Sequence, residues 1–132
     1  MGNPEGMSFS VHRVIAAPPQ AAWDVLIDLD AWPDWGPSIN DAELDQPGRR
    51  LTAGATGTVR TALLVRVPFV VTEFDPGRCW AWKVAGIPAT WHRVDADGDG
   101  SRVTFGVPWW APAYLAVCDI ALRRIEKILV KG

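Results

Sequence analysis

Residues 112–130 read PAYLAVCDIALRRIEKILV. At about 100° per residue, one half of a helical wheel takes Tyr114, Leu115, Val117, Cys118, Ala121, Leu122, Ile125, Ile128 and Leu129. The other half takes Asp119, Arg123, Arg124, Glu126, Lys127 and Lys131. Pro112 suits a first turn that needs no backbone donor. So clean a division predicts a long helix with one side laid on an apolar surface. The fold follows from what that surface is.

Upstream, residues 39–109 change to a period of two. The predicted strands are 39–44, 56–64, 67–74, 79–84, 90–95 and 102–109. Turn signals stand between them at Gln46-Pro47-Gly48, Asp75-Pro76-Gly77, Gly86-Ile87-Pro88 and Asp97-Gly98-Asp99-Gly100. These gaps leave no room for crossover helices, so the strands form an antiparallel meander. Before them, residues 8–16 read as a strand that Pro18-Pro19 stop. Residues 20–29 follow as a short helix with Ala22, Trp23, Leu26 and Leu29 on one face. A second piece, 31–35, has Pro33 in its first turn and ends at Gly36-Pro37. The prediction is an α+β domain: a curved seven-stranded sheet wrapped on one long C-terminal helix, with two short helices between its first and second strands. A bent sheet gripping one helix leaves a cavity between them.

The chain has 132 residues, enough for one domain, expected over 7–132 after a flexible leader at 1–6. A hydrophobic fraction of 48% excludes disorder. Thirteen basic residues against fifteen acidic ones give a net charge of -2, which argues against a nucleic-acid partner. No stretch is long and apolar enough to span a membrane. A secretory signal is not visible, and Gly6 stands where a myristoylation motif needs Ser or Thr. Cys79 and Cys118 read as reduced, unreactive thiols, so the expected location is cytoplasmic. Asp95, Asp97 and Asp99 lack the closing acidic residue of a calcium loop, and no metal or cofactor is expected. A monomer or weak homodimer is expected. The outlier is tryptophan: eight, against one Tyr and four Phe.

Alternation assigns faces. Val103, Phe105, Val107 and Trp109 form one inward set, Trp80, Trp82 and Val84 a second, and Val67, Phe69 and Val71 a third. His92 is placed inside with Thr90 and Val94, because Arg93 and Asp95 cost more to bury. These aromatics either fill a core or line a ligand cavity, and both readings stay open. Buried indole N–H groups need partners, which a ligand oxygen or a water supplies.

Several strings resemble a known group. Ala17-Pro18-Pro19-Gln20-Ala21-Ala22-Trp23-Asp24-Val25-Leu26 is followed by Asp28-Leu29-Asp30-Ala31-Trp32-Pro33-Asp34-Trp35. Later come Val71-Thr72-Glu73-Phe74-Asp75-Pro76-Gly77-Arg78 and Gly100-Ser101-Arg102-Val103-Thr104-Phe105. With the order of elements, the chain resembles the polyketide cyclase/dehydrase and lipid-transfer group of the START-like (SRPBCC) superfamily, which has the helix-grip fold. The resemblance implies a hydrophobic cavity with Trp80 and Trp82 in its wall, His92 as an inward polar group and Trp35 near its mouth. Gly36 departs from the polar residue that members often have there, and the stretch 107–112 is unusually stiff and aromatic.

The candidate ligand-binding set is therefore Trp35, Phe69, Trp80, Trp82, His92, Phe105, Val107, Trp109, Tyr114, Cys118 and Leu122. The first functional expectation is a binder or carrier of a small hydrophobic molecule: a lipid, an aromatic or a polyketide-like compound. The alternative is a cyclase, aromatase or dehydrase in the same cavity. There His92 would act as acid/base, with Arg60 or Tyr114 donating to an enolate oxygen. A third reading makes the Trp109-Trp110 edge a docking site for a partner.

Overall fold

The computed structural model describes residues 8–130, so the expected leader at 1–6 and Lys131 lie outside the described residues. The strands are β1 (Ser8–Ile15), β2 (Ile39–Leu44), β3 (Thr56–Thr61), β4 (Arg66–Asp75), β5 (Cys79–Val84), β6 (Ile87–Asp97) and β7 (Gly100–Pro108). The helices are α1 (Pro19–Ile27), α2 (Trp32–Trp35) and α3 (Leu115–Val130), with a 3-10 turn at Pro112–Tyr114 leading into α3. The strands form a single antiparallel sheet in the order β1-β7-β6-β5-β4-β3-β2. Helices α1 and α2 carry the chain from one sheet edge, β1, to the other, β2.

Helix α3 buries Cys118, Ala121, Leu122 and Ile125 in the core. Arg13 of β1 and Glu126 of α3 form an ion pair at 2.6 Å that ties the helix to the sheet edge. The same face of the sheet contributes Val59, Phe69, Val71, Trp80, Trp82, Val94, Val103, Phe105 and Val107 to the core.

Several boundaries differ from expectation, each for a physical reason. Helix α1 ends at Ile27 rather than Leu29 because the chain there pairs with residues 49–51. Leu29 N–H donates to the Arg49 carbonyl, and Leu51 N–H to the Ile27 carbonyl, both at 2.9 Å. Strand β3 stops at Thr61, not Leu64: Leu64 sits at φ 63°, and Leu63 is 84% exposed. Strand β7 stops at Pro108, so Trp109 leaves the alternation and is 64% exposed instead of facing inward. Strand β6 starts at Ile87, not Thr90, because the β5–β6 turn is Ala85-Gly86 rather than Gly86-Ile87-Pro88. Val84 pairs with Ile87, and the two loop residues have φ 53° and 78°. That geometry favours Asn-Gly, so an alanine conceals it.

Trp91 lies on the outer face, as expected, yet is buried. It pairs across the sheet with Gly106, and its indole occupies the space where a Cβ of residue 106 would stand. The Arg93 guanidinium lies 5.7 Å from the Trp91 ring centroid. The glycine thus gives the ring its seat.

Two stability measurements follow from these positions. Ala85→Asn should stabilise the fold by about 0.5–1 kcal/mol, because Asn tolerates the left-handed conformation that strains Ala. Gly106→Ala should cost about 1–3 kcal/mol by displacing the Trp91 ring. Denaturant titration of both variants against the parent checks the signs. Unchanged stability in Gly106→Ala would show that the Trp91 ring is loosely held.

Candidate ligand-binding site

The space between sheet and α3 is partly filled by the protein itself. Trp32, from the first turn of α2, is fully buried there. Its indole stacks on Trp80, with centroids 5.7 Å apart and planes 9° from parallel. It meets Trp82 edge-on at 5.3 Å and Phe69 tilted at 6.0 Å. The Trp32 Nε1–H donates to the Leu26 carbonyl at 2.9 Å. The Trp35 Nε1–H donates to the Val25 carbonyl at 3.3 Å, and its ring packs edge-on against Phe105. The short helix is therefore a double indole plug whose polar groups are satisfied by α1.

Two hollows remain. The smaller, about 40 Å³, lies between α2 and α3; Trp35, Trp80, His92, Phe105 and Cys118 are in its wall. The larger, about 460 Å³, sits towards the β3–β4 and β5–β6 turns. Its wall includes Val59, Thr61, Val84, Ala89, Val107 and Trp110. Ser38, Ile39, Trp82, Thr90 and Tyr114 line both, so the two hollows are neighbours across a shared wall. No Asp, Glu, Lys or Arg lines either one.

Most of the expected site residues are brought together here, and some are not. Phe69 and Leu122 are buried in the core and line neither hollow. Trp109 points to solvent, and Trp110 takes the place in the wall that alternation gave to Trp109. Arg60 is exposed on the outer face, because its neighbour Val59 occupies the inner one; it lies outside both cavity walls. The rim residues Ser38, Ile39, Ala89 and Thr90 were not singled out as binding residues. Their signals, a hydroxyl, a small or an apolar residue near the start of β2 or β6, are too common to mark a site.

Most of the polar groups inside are bonded to one another. Trp82 Nε1–H donates to Thr90 Oγ1 at 3.0 Å, and Thr90 Oγ1 lies 2.9 Å from His92 Nε2. His92 Nδ1 lies 3.2 Å from the Trp80 carbonyl oxygen. A carbonyl only accepts, so Nδ1 carries the proton and Nε2 accepts from the Thr90 hydroxyl. The imidazole is also stacked on Trp80 at 4.0 Å and edge-on to Phe105 at 4.7 Å. Burial disfavours its cation and pushes the pKa down from 6.5 to about 3, outweighing the bond to the Trp80 carbonyl. His92 is thus neutral, with both ring nitrogens engaged.

Tyr114 and Ser38 share a hydroxyl bond of 2.6 Å that links the 3-10 turn to the approach to β2. Burial raises the Tyr114 pKa, and the Ser38 bond partly opposes it. Trp80 Nε1 is buried with no partner in the protein. Burial raises the Cys118 thiol to about 12; burial, with the Glu73 and Asp75 charges next, raises Cys79 to about 11. Neither thiol ionises readily near neutrality. Among the described residues, no group of three or more His, Cys, Asp or Glu is placed to hold a metal, and no helix is long and apolar enough to cross a membrane.

Comparison with known proteins adds the family. A family model described as polyketide cyclase/dehydrase and lipid transport matches residues 7–126. No curated protein matches the sequence. Solved structures share the fold at low identity. The protein XoxI from Bacillus cereus superposes with TM-score 0.72 at 13% identity, covering 94% of this chain and 96% of its own. The Aha1 dimer from Colwellia psychrerythraea gives 0.67 at 18%, covering 92% and 95%. Ara h 8.0201 gives 0.68 at 13%, covering 95% and 98%. With a family model spanning most of the chain and a seven-stranded sheet gripping a C-terminal helix, the protein belongs to the polyketide cyclase/dehydrase and lipid-transport family.

Proposed function

We propose that the protein binds a small, uncharged hydrophobic molecule in the larger cavity. Family and fold suggest a hydrophobic-ligand binder or a polyketide cyclase-type protein. One observation favours binding of a neutral guest: a hollow of about 460 Å³ whose wall carries no charged side chain. That volume falls within the range of small-molecule sites. A carboxylate or ammonium buried there would lose its hydration without a partner, a cost that excludes charged guests. A ketone, ester or hydroxyl can be met by the Ser38 and Tyr114 hydroxyls, or by the unpartnered Trp80 N–H beside the smaller hollow.

The enzymatic alternative has less support. A general base needs a free lone pair and a basicity near the working pH. The His92 Nε2 lone pair is taken by Thr90, and the ring resists protonation down to a pH of about 3. Arg60 does not face the cavity. His92 is better read as the link that joins β5 to β6 beneath the site.

Two measurements test this reading. A neutral lipophilic dye such as Nile red should be taken up by the parent and displaced by a long-chain ketone. The matching carboxylate should compete at least about tenfold less well. Ala89→Trp, which fills the cavity, should abolish uptake while the protein stays folded. Absence of dye uptake, or equal competition by the carboxylate, would overturn the reading. His92 gives a separate signature in stability. Its folded pKa lies below its unfolded one, so the unfolded chain binds the extra proton between those values. Its contribution is complete above about pH 6.5 and falls by about 1.4 kcal/mol per pH unit on acidification towards pH 3. Across that window, His92→Gln should lose stability less steeply than the parent in denaturant titrations. Parallel slopes would show that the ring is not held neutral.

A further inference from the structure

We propose that the cavity-mouth end of the sheet is a docking surface for an anionic lipid bilayer. The proposal rests on the ligand-binding reading for the cargo exchanged there, and on surface chemistry alone for the docking. Three separate turns meet at this end, and each presents apolar side chains to water. The β3–β4 turn carries Leu63 and Leu64, the start of β6 beside the Ala85-Gly86 turn Ile87, and the chain after β7 Trp109 and Trp110; all five are exposed. Leu63, Ile87 and Trp110 also line the larger cavity, so its apolar wall continues outwards into the exposed rim. Exposed apolar residues scattered singly are ordinary, but several gathered around one opening mark an interaction site.

The shape and the charge both favour a bilayer. Narrow protruding tips insert side chain by side chain into the boundary between headgroups and acyl chains, and indoles settle at that depth. Segments 58–68, 82–90 and 105–114, which carry the five exposed side chains, contain Arg60, Arg66 and Lys83 and no acidic residue. Arg60 and Arg66 stand opposite each other across β3 and β4, a like-charge pairing that costs stability. Asp41 of β2 pairs with Arg66 at 3.6 Å, so the row stays net positive. This occurs in a chain whose net charge is -2. At the opposite end of the sheet stand Asp75, Asp97 and Asp99, the first two paired with Arg78 and Arg102, so no comparable run of cations without acids occurs in those turns. A cationic belt set behind apolar tips complements an anionic membrane surface.

Vesicle co-sedimentation tests the surface. The full chain should sediment with phosphatidylcholine vesicles containing phosphatidylserine, and far less with phosphatidylcholine alone. Tryptophan emission should shift to the blue on binding. The double variant Leu64→Asp, Trp109→Ser should bind those vesicles about tenfold or more weakly. Both positions lie outside the cavity walls, so the variant should take up Nile red from solution as the parent does. Lys83→Glu should reduce the preference for the anionic vesicles. Parent protein that stays in the supernatant with both vesicle types would overturn the proposal. So would a concentration-dependent dimer that the double variant dissolves, without vesicle binding. Vesicle binding by a parent that takes up no dye would uphold the docking surface and sink the ligand reading, which separates the two failures.

Discussion

The arrangement of this molecule depends on the wedge that Trp32 drives between the sheet and its helix. Helix α2 is four residues long, too short to be stable in isolation. Tertiary contact holds it: the indole stacks on Trp80, meets Trp82 and Phe69, and gives its N–H to the Leu26 carbonyl. Each such ring pair adds about 0.5–1.5 kcal/mol beyond the area it buries. The wedge closes the deep part of the groove and leaves only about 40 Å³ beside α3. The remaining room is displaced to the open end of the sheet, where about 460 Å³ is bounded by strand ends and turns. The place of the hollow is thus a consequence of one side chain.

The polar groups left inside explain why that hollow suits a neutral occupant. Trp82, Thr90, His92 and the Trp80 carbonyl form one chain of hydrogen bonds in which each group answers the next. A satisfied network of this kind fixes the geometry of β5 against β6 and leaves the Trp80 Nε1–H beside it without a partner. The neutral imidazole follows from the same packing, since a cation between Trp80 and Phe105 would lack both water and an anion. On the proposed reading, discrimination would come from exclusion: with no charged group in the wall, a charged guest would be rejected by the cost of stripping its water.

Much of the fold was legible because it follows from periodicity. The amphipathic division of α3, the alternation in β4, β5 and β7, and the Gly-rich turn between β6 and β7 are local properties of the chain. The errors fall where distant groups decide. Nothing within residues 20–29 shows that residues 49–51 take the backbone bonds that end α1. Ala85 conceals a turn that Asn would announce, and Leu63-Leu64 extends an apparent strand that has already turned. The site was legible as a cluster of indoles but not as a shape. Trp80 and Trp82 were placed correctly by alternation, whereas the filling of the groove by Trp32 depends on how α2 tilts into the sheet. His92 was rightly placed inside, but the bond from Thr90 that occupies its Nε2 exists only once β6 is drawn.

The misread turns bear on function through the cost of their composition. A hairpin tip at positive φ favours Gly or Asn, and an exposed tip favours polar groups. Leu64 satisfies neither: it holds φ 63° and is 63% exposed. Leu63 beside it is 84% exposed and gains little from packing. Trp109 likewise follows Pro108 into solvent, and Trp110 stays half exposed at the cavity wall, when the strand could have ended on polar residues. Local rules broken without a compensating gain in the folded chain point to a use outside it. Here the breaches gather where the wedge has left the cavity open, so the costly surface and the opening share one end of the molecule. A core built for stability alone would have no reason to place them together.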